Sequence, residues 1–125
     1  RNVIQPLERG SDQQDEKSLA FYAYETGNYE KAIKLFTDLF TATKEPYYLF
    51  YKANALLKLE KANEAVPLLL EHLKTKDTLT EKSTWYLALS NLKQKKYEET
   101  KKFLKQIPED AEDYAKAEKL LDELD

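Results

Sequence analysis

Apolar residues recur at helical spacing along most of the chain, from Asp15 nearly to the C-terminal end. Side chains three or four positions apart lie on one face of a helix, so this pattern predicts a series of amphipathic helices. Residues 1–14 lack the periodicity and contain Pro6, Gly10 and Ser11. We therefore predict an extended leader or linker over 1–14 and one helical domain over 15–125.

Three segments within the helical region repeat one pattern, a short turn followed by an amphipathic helix. They begin at Gly27, Glu60 and Lys95 and read GNYEKAIKLF, EKANEAVPLL and KKYEETKKFL. A small residue follows each turn at the same offset, at Ala32, Ala65 and Thr100. The spacings of 33 and 35 residues average 34, a period that indicates stacked helix–turn–helix units.

The repeats divide into three helix pairs and a final helix. A small residue also stands in the first helix of each pair, at Ala20, Ala53 and Ala88, where it lets two helices approach closely. Pro67 is predicted near the start of its helix, where a missing N–H costs least. The predicted bounds are 15–26 and 29–42 for pair one, 46–59 and 62–75 for pair two, 80–94 and 96–106 for pair three, and 110–124 for a helix that caps the apolar end of the array.

Composition narrows the classes of function. The chain has 125 residues, a formal net charge of −3 and no cysteine, which excludes disulfides and thiolate chemistry and disfavours nucleic acid as a partner. The charge is uneven, because residues 93–105 hold six lysines against two glutamates and residues 109–125 hold eight acidic residues against two lysines. We interpret both runs as solvated helix faces.

The first turn carries the clearest family likeness. The segment Gly27-Asn28-Tyr29-Glu30-Lys31-Ala32-Ile33 resembles the turn glycine, tyrosine and small–hydrophobic pair of the tetratricopeptide repeat (TPR) family. The later repeats depart from it, with Glu60 and Lys95 at the glycine position. The resemblance implies an all-α, right-handed TPR-like solenoid of three helix pairs plus a C-terminal capping helix. It implies protein binding without naming a partner.

A narrower likeness comes from the order of the segments. A Pro6-Leu7-Glu8-Arg9-Gly10 leader, three repeats, a Trp85-Tyr86-Leu87-Ala88 helix and a short acidic final helix resemble one bacterial family. Its members carry an N-terminal cytosolic region, sometimes anti-sigma-like, then one membrane span, then such a domain. The resemblance implies an extracytoplasmic, periplasmic domain tethered through the leader, and a cytoplasmic location stays open.

Little in the sequence points to catalysis, metal binding or a cofactor. His72 is the one histidine, and without cysteines a single histidine does not make a zinc site. We interpret it as a half-buried or surface helix residue. Adjacent carboxylates on a helix point in different directions, which disfavours a shared substrate. We therefore predict no enzyme, no cofactor and no metal site.

A groove is the remaining candidate site. In the TPR resemblance the first helix of each pair lines the concave face, and aromatic anchors with cationic neighbours there suit a peptide or helix of another protein. Buried packing remains an alternative for Tyr24, Phe50 and Trp85, and Phe21 is expected in the core. The predicted groove residues are Lys17, Tyr24, Tyr47, Phe50, Asn54, Lys82, Trp85 and Lys93.

Two functions follow from these patterns. The first is a protein–protein interaction scaffold that holds a peptide or helix in the concave groove. The second is a self-associating spacer of a membrane-anchored protein, since exposed aromatic residues can also form a homodimer surface.

Overall fold

Seven α-helices and no strand make up the part of the chain that the computed structural model describes, which is residues 9–125, with side chains from Asp15 onward. Each helix packs against the next, and α3 also contacts α5. The predicted all-α helical solenoid is therefore confirmed. The helices are α1 (Arg9–Glu25), α2 (Tyr29–Thr43), α3 (Tyr47–Lys58), α4 (Ala62–Leu73), α5 (Thr80–Lys93), α6 (Tyr97–Leu104) and α7 (Tyr114–Leu124).

The N-terminal prediction needs a correction. The extended leader was predicted over 1–14, whereas α1 begins at Arg9, so the prediction is wrong for residues 9–14. Gly10 and Ser11 fall in the first helical turn, where the backbone N–H groups have no intrahelical partner and weak helix formers are tolerated. Residues 1–8 of the predicted leader lie outside the described residues.

The turn between the two helices of each pair has one geometry in all three repeats. Gly27, Glu60 and Lys95 adopt left-handed φ values of 87°, 62° and 61°. In each repeat the next residue's N–H donates to the carbonyl oxygen five positions back, at 2.8–2.9 Å. This is the Schellman ending, in which a residue at positive φ satisfies the last carbonyls of a helix. The glycine position of the first repeat therefore recurs structurally even where the residue is glutamate or lysine.

Small residues form the close contacts between helices, as the repeat pattern predicted. Ala20, Ala53 and Ala88 in the first helices are fully buried. The recurring small residues of the second helices, Ala32, Ala65 and Thr100, are also fully buried. The core divides into three clusters that follow the chain, one around Phe36, one around Leu69 and Leu87, and one around Leu104 and Ala117.

Pro67 lies inside α4 rather than in its first turn. A proline at this position removes the N–H that would donate to the carbonyl of Asn63. Both residues are on the exposed side of the helix. Water can therefore donate a hydrogen bond to the carbonyl oxygen of Asn63, and the helix continues to Leu73.

Candidate functional site

A groove of about 370 Å³ lies where α1, α3 and α5 come together. These are the first helices of the three pairs, and each contributes side chains from its C-terminal half. Some positions recur, because Asn54 and Leu89, and Lys58 and Lys93, stand at equivalent places in the second and third repeats. Its lining residues are Tyr24, Asn54, Leu57, Lys58, Glu60, Tyr86, Leu89 and Lys93.

Asn54 of α3 lies at the centre of this lining and is 5% exposed. Its Nδ2 donates to the carbonyl oxygen of Phe50 at 3.0 Å, one helical turn back. Among the described residues, no donor reaches Asn54 Oδ1. The Asn54 oxygen reaches solvent in the groove, so it can accept a hydrogen bond from a ligand in place of water.

Tyr24 of α1 forms one wall. Its ring makes edge-on contacts with Tyr29 and Tyr51, with centroid distances of 6.0 and 5.8 Å. Burial, and then the nearby phenols of Tyr86, Tyr29 and Tyr51, raise the pKa of Tyr24 to about 12. The hydroxyl group of Tyr24 therefore stays neutral at physiological pH and offers hydrogen bonding rather than charge.

Two lysines stand at the rim. Lys93 Nζ lies 3.4 Å from Glu60 Oε1 in an exposed ion pair. Lys58 is exposed and makes no ion pair with any described residue. Exposed pairs contribute little to stability, about 0–1 kcal/mol. The Lys93–Glu60 contact can therefore exchange for a carboxylate of a ligand at small cost.

Lys17 and Tyr47 form a separate contact between α1 and α3. Lys17 Nζ donates to the hydroxyl oxygen of Tyr47 at 3.4 Å and lies 5.4 Å from the centre of its ring. Neither side chain lines the groove across α1, α3 and α5. Of the eight predicted groove residues, the structure thus brings Tyr24, Asn54 and Lys93 together.

Three of the predicted residues stabilise the fold instead, two by packing and one by ion pairs. Phe50 is 5% exposed and packs between the rings of His72 and Tyr86, so it takes the buried alternative. Trp85 packs against the cluster that includes α7. The Lys82 ammonium group lies 2.7 Å from Glu112 and 3.2 Å from Asp113, just before α7. The position of α7 explains both residues of α5, because that helix and the turn before it cover this end of the array.

Five lining residues are absent from the predicted set, namely Leu57, Lys58, Glu60, Tyr86 and Leu89. Tyr86 follows the predicted Trp85 by one position, and a step of one residue turns a side chain by about 100° around a helix. Lys58 and Glu60 follow the predicted α3 positions at the helix end. The uneven repeat spacing of 33 and 35 is the one signal in the sequence that such an offset exists.

His72 was expected at or near the surface, and this expectation is wrong. It is fully buried, with Nδ1 2.6 Å from Ser83 Oγ and Nε2 3.0 Å from the Asp77 carboxylate. These residue types also occur in hydrolase triads, but Ser83 is itself fully buried, so no substrate reaches its hydroxyl group. The cluster is a polar link from α4 to α5. Within residues 15–125, no group of acidic or histidine side chains has the arrangement of a metal site.

Comparison with known families supports the repeat assignment. A family model described as anaphase-promoting complex, cyclosome, subunit 3 matches residues 25–107, about two thirds of the chain. Its repeats are TPR-like, which confirms the TPR resemblance, and such repeats typically mediate protein–protein interaction as scaffolds without catalysis. No curated protein matches the chain. None of the helices from Arg9 onward is both long and apolar enough to cross a membrane.

Proposed function

The chain belongs to the anaphase-promoting complex, cyclosome, subunit 3 family of TPR-like repeats, and from this membership we propose that it is an interaction scaffold. The groove across α1, α3 and α5 would hold a segment of another protein. The groove itself supports this function most directly, because three successive repeats contribute aromatic, amide and cationic side chains to one space of about 370 Å³. A volume of this size accommodates one or two side chains of a docked segment.

Each part of the lining suits a different part of a peptide. The rings of Tyr24 and Tyr86, with Leu57 and Leu89, offer an apolar wall for a large side chain. The Asn54 amide oxygen can accept a backbone N–H, which fixes the register of the segment without selecting its sequence. Together these contacts favour one anchoring side chain with ordered backbone on either side.

The rim adds a preference for acidic groups. Lys58 makes no ion pair with a described residue, and Lys93 is held only by the exposed Glu60. A carboxylate of the ligand would meet Lys58 directly and compete with Glu60 for Lys93. Such rim contacts change association rate and selectivity more than affinity, and salt weakens them.

Affinity capture from the organism that makes this protein tests the proposal. The baits are the wild type, a groove variant with Lys58→Glu and Lys93→Glu, and a charge-matched control with Lys31→Glu and Lys119→Glu. All four lysines are exposed, so the substitutions should leave the fold intact, which circular dichroism checks. We expect a partner that the wild type and the control retain and the groove variant loses. A partner retained equally by all three baits would show that it does not bind through the groove.

Self-association is the second candidate function. Leu19 and Tyr22 on α1 are 49% and 68% exposed, large apolar side chains that a second copy could cover. Capture of the bait alone would favour this reading. The link to a membrane-anchored bacterial protein, with the domain in the periplasm, is part of the same proposal and depends on the narrower family resemblance.

A further inference from the structure

A second groove, of about 460 Å³, lies between α4 and α6, the second helices of pairs two and three. It shares no lining residue with the groove across the first helices. A ligand could therefore occupy it independently of the proposed function.

The floor of this groove is apolar. Val66 and Phe103 are half-buried and pack against the central core cluster. Leu70 follows Val66 by one helical turn on the same face and is 44% exposed. Leucine is a side chain that folding usually buries, and here Val66, Leu70 and Phe103 line one groove as an apolar strip. Covering this strip would remove further apolar area from water and so favour association.

The rim and one wall are polar. Lys96 and Lys102 are exposed and make no ion pair with any described residue, whereas Lys101 of the same helix pairs with Glu98 and Asp125. Glu99 is the one carboxylate in the lining, so the rim carries a net positive charge.

The wall contains Asn91, which is 5% exposed. Its Nδ2 donates to the carbonyl oxygen of Leu87 at 2.9 Å, and among the described residues no donor reaches its Oδ1. The Asn91 oxygen reaches solvent and can accept a hydrogen bond from a ligand, as can the Asn54 oxygen in the first groove.

We propose that the α4–α6 groove docks an acidic amphipathic segment of a partner protein. The apolar side chains of the segment, spaced three or four residues apart, would cover Val66, Leu70 and Phe103. Carboxylates beside this stripe would meet Lys96 and Lys102. The positive charge of the rim favours a negatively charged segment, and the apolar strip requires that this segment also carry hydrophobic side chains.

The acidic α7 helix of a second copy fits the groove poorly. This helix presents the carboxylates of Glu118, Asp122 and Glu123. The apolar residues of that helix, however, pack against the C-terminal cluster of their own domain. The α7 helix would therefore bring charge without the apolar stripe, so this helix of a second copy is not the occupant.

Selection from a displayed library of random peptides tests this proposal. The wild-type protein is the target, and selected peptides are synthesised and titrated. We expect sequences with Asp or Glu beside apolar residues at helical spacing. Their affinity should fall at least about tenfold with Lys96→Glu and Lys102→Glu together, which corresponds to about 1.4 kcal/mol. Leu70→Ala should weaken binding about three- to tenfold, through the loss of apolar contact.

Two matched variants locate the site. The Lys31→Glu, Lys119→Glu protein carries the same charge change elsewhere, and the Lys58→Glu, Lys93→Glu protein alters only the first groove. Both should retain the peptides. Peptides lost only on the first-groove variant, or a selection without acidic residues, would overturn the proposal. So would a wild-type dimer in sedimentation that Leu70→Ala dissociates, because the occupant would then be a second copy.

Discussion

The first repeats and the C-terminal end of the array are held together by different physical means. Around Phe36, which is fully buried, the rings of Phe21, Tyr24, Tyr48 and Tyr51 lie with centroids 5.1 to 6.2 Å from its own. These rings come from α1, α2 and α3. The aromatic seam therefore joins the first pair to the second mainly through apolar area and ring packing.

The C-terminal end relies more on charge. The cluster under α7 contains Ala117 and Leu104, and among its fully buried side chains leucine is the largest. Ion pairs stand at both ends of the helix, where Lys82 meets Glu112 and Asp113, and Lys101 meets Asp125. Glu112 and Asp125 are exposed, although Asp113 is buried, and ion pairs of exposed groups are weak and sensitive to salt and pH, whereas ring packing depends on neither. We therefore expect α7 to open before the aromatic seam does.

Removing the Phe36 ring tests how much the aromatic seam contributes to stability. Phe36→Ala should lower the free energy of unfolding by about 3–5 kcal/mol, since it deletes a fully buried ring and leaves a cavity. Urea denaturation followed by far-UV circular dichroism measures the change. Phe40→Ala on the same helix is the control, because Phe40 is only half-buried. Equal losses from both substitutions would contradict a seam centred on Phe36.

The repeats and the core could be predicted from the sequence because both depend on short-range spacing. Ala32, Ala65 and Thr100 recur at nearly one period, and each is fully buried in the structure. A small residue at such a position determines how closely two helices approach, whatever the partner side chain is. The solenoid therefore followed from a few positions.

The site was predicted less well, because a groove depends on helix rotation and on distant segments. Trp85 and Tyr86 are adjacent, and only the packing of α5 decides which of them faces the groove. Lys82 finds its partners about thirty residues later in the chain, at Asp113 and its neighbour. The repeat pattern carries no information on that contact, since the final helix lies outside the three repeats.

The turns allow the two ends to be compared at one backbone geometry. Gly27 and Lys95 have φ values of 87° and 61°, a region that costs residues other than glycine about 1 kcal/mol. Gly27→Ala should therefore lower the free energy of unfolding by about 1 kcal/mol, although a Cβ there would meet no atom within 4 Å. Lys95→Gly should raise it by a similar amount, about 0.5–1 kcal/mol.

Urea denaturation of the two turn variants checks both signs. Lys95→Ala removes the lysine charge but keeps the strained backbone, so we expect little change from it. A gain from Lys95→Ala as large as that from Lys95→Gly would assign the effect to charge and not to φ.

The smallest expected effect is at the cap, which α7 and the turn before it form. Here Lys82→Gln removes the ion pairs with Glu112 and Asp113. We expect a loss of less than about 1 kcal/mol near neutral pH, because the Lys82 side chain is one third exposed and the buried carboxylate of Asp113 keeps a second cation, Lys116 Nζ, at 3.7 Å. Trp85, the one tryptophan, packs against the α7 cluster, so its fluorescence follows the cap while circular dichroism follows the whole array. The variant should lower the midpoint of the fluorescence transition more than that of circular dichroism.

The pH dependence identifies the charges responsible. The hydrogen bond from Lys82 lowers the pKa of Glu112 below its ordinary 4.5, so this stabilisation is present above 4.5 and is lost as the pH falls through the lowered pKa. The hydrogen bond to Glu112 raises the pKa of Lys82 above 10.5, so its stabilisation is present below 10.5 and is lost as the pH rises through the raised pKa. Wild type and Lys82→Gln should therefore differ between these limits and converge beyond both. A difference that persists in strong acid would show that Lys82 acts through packing of its alkyl chain, and the cap would then resemble the aromatic seam.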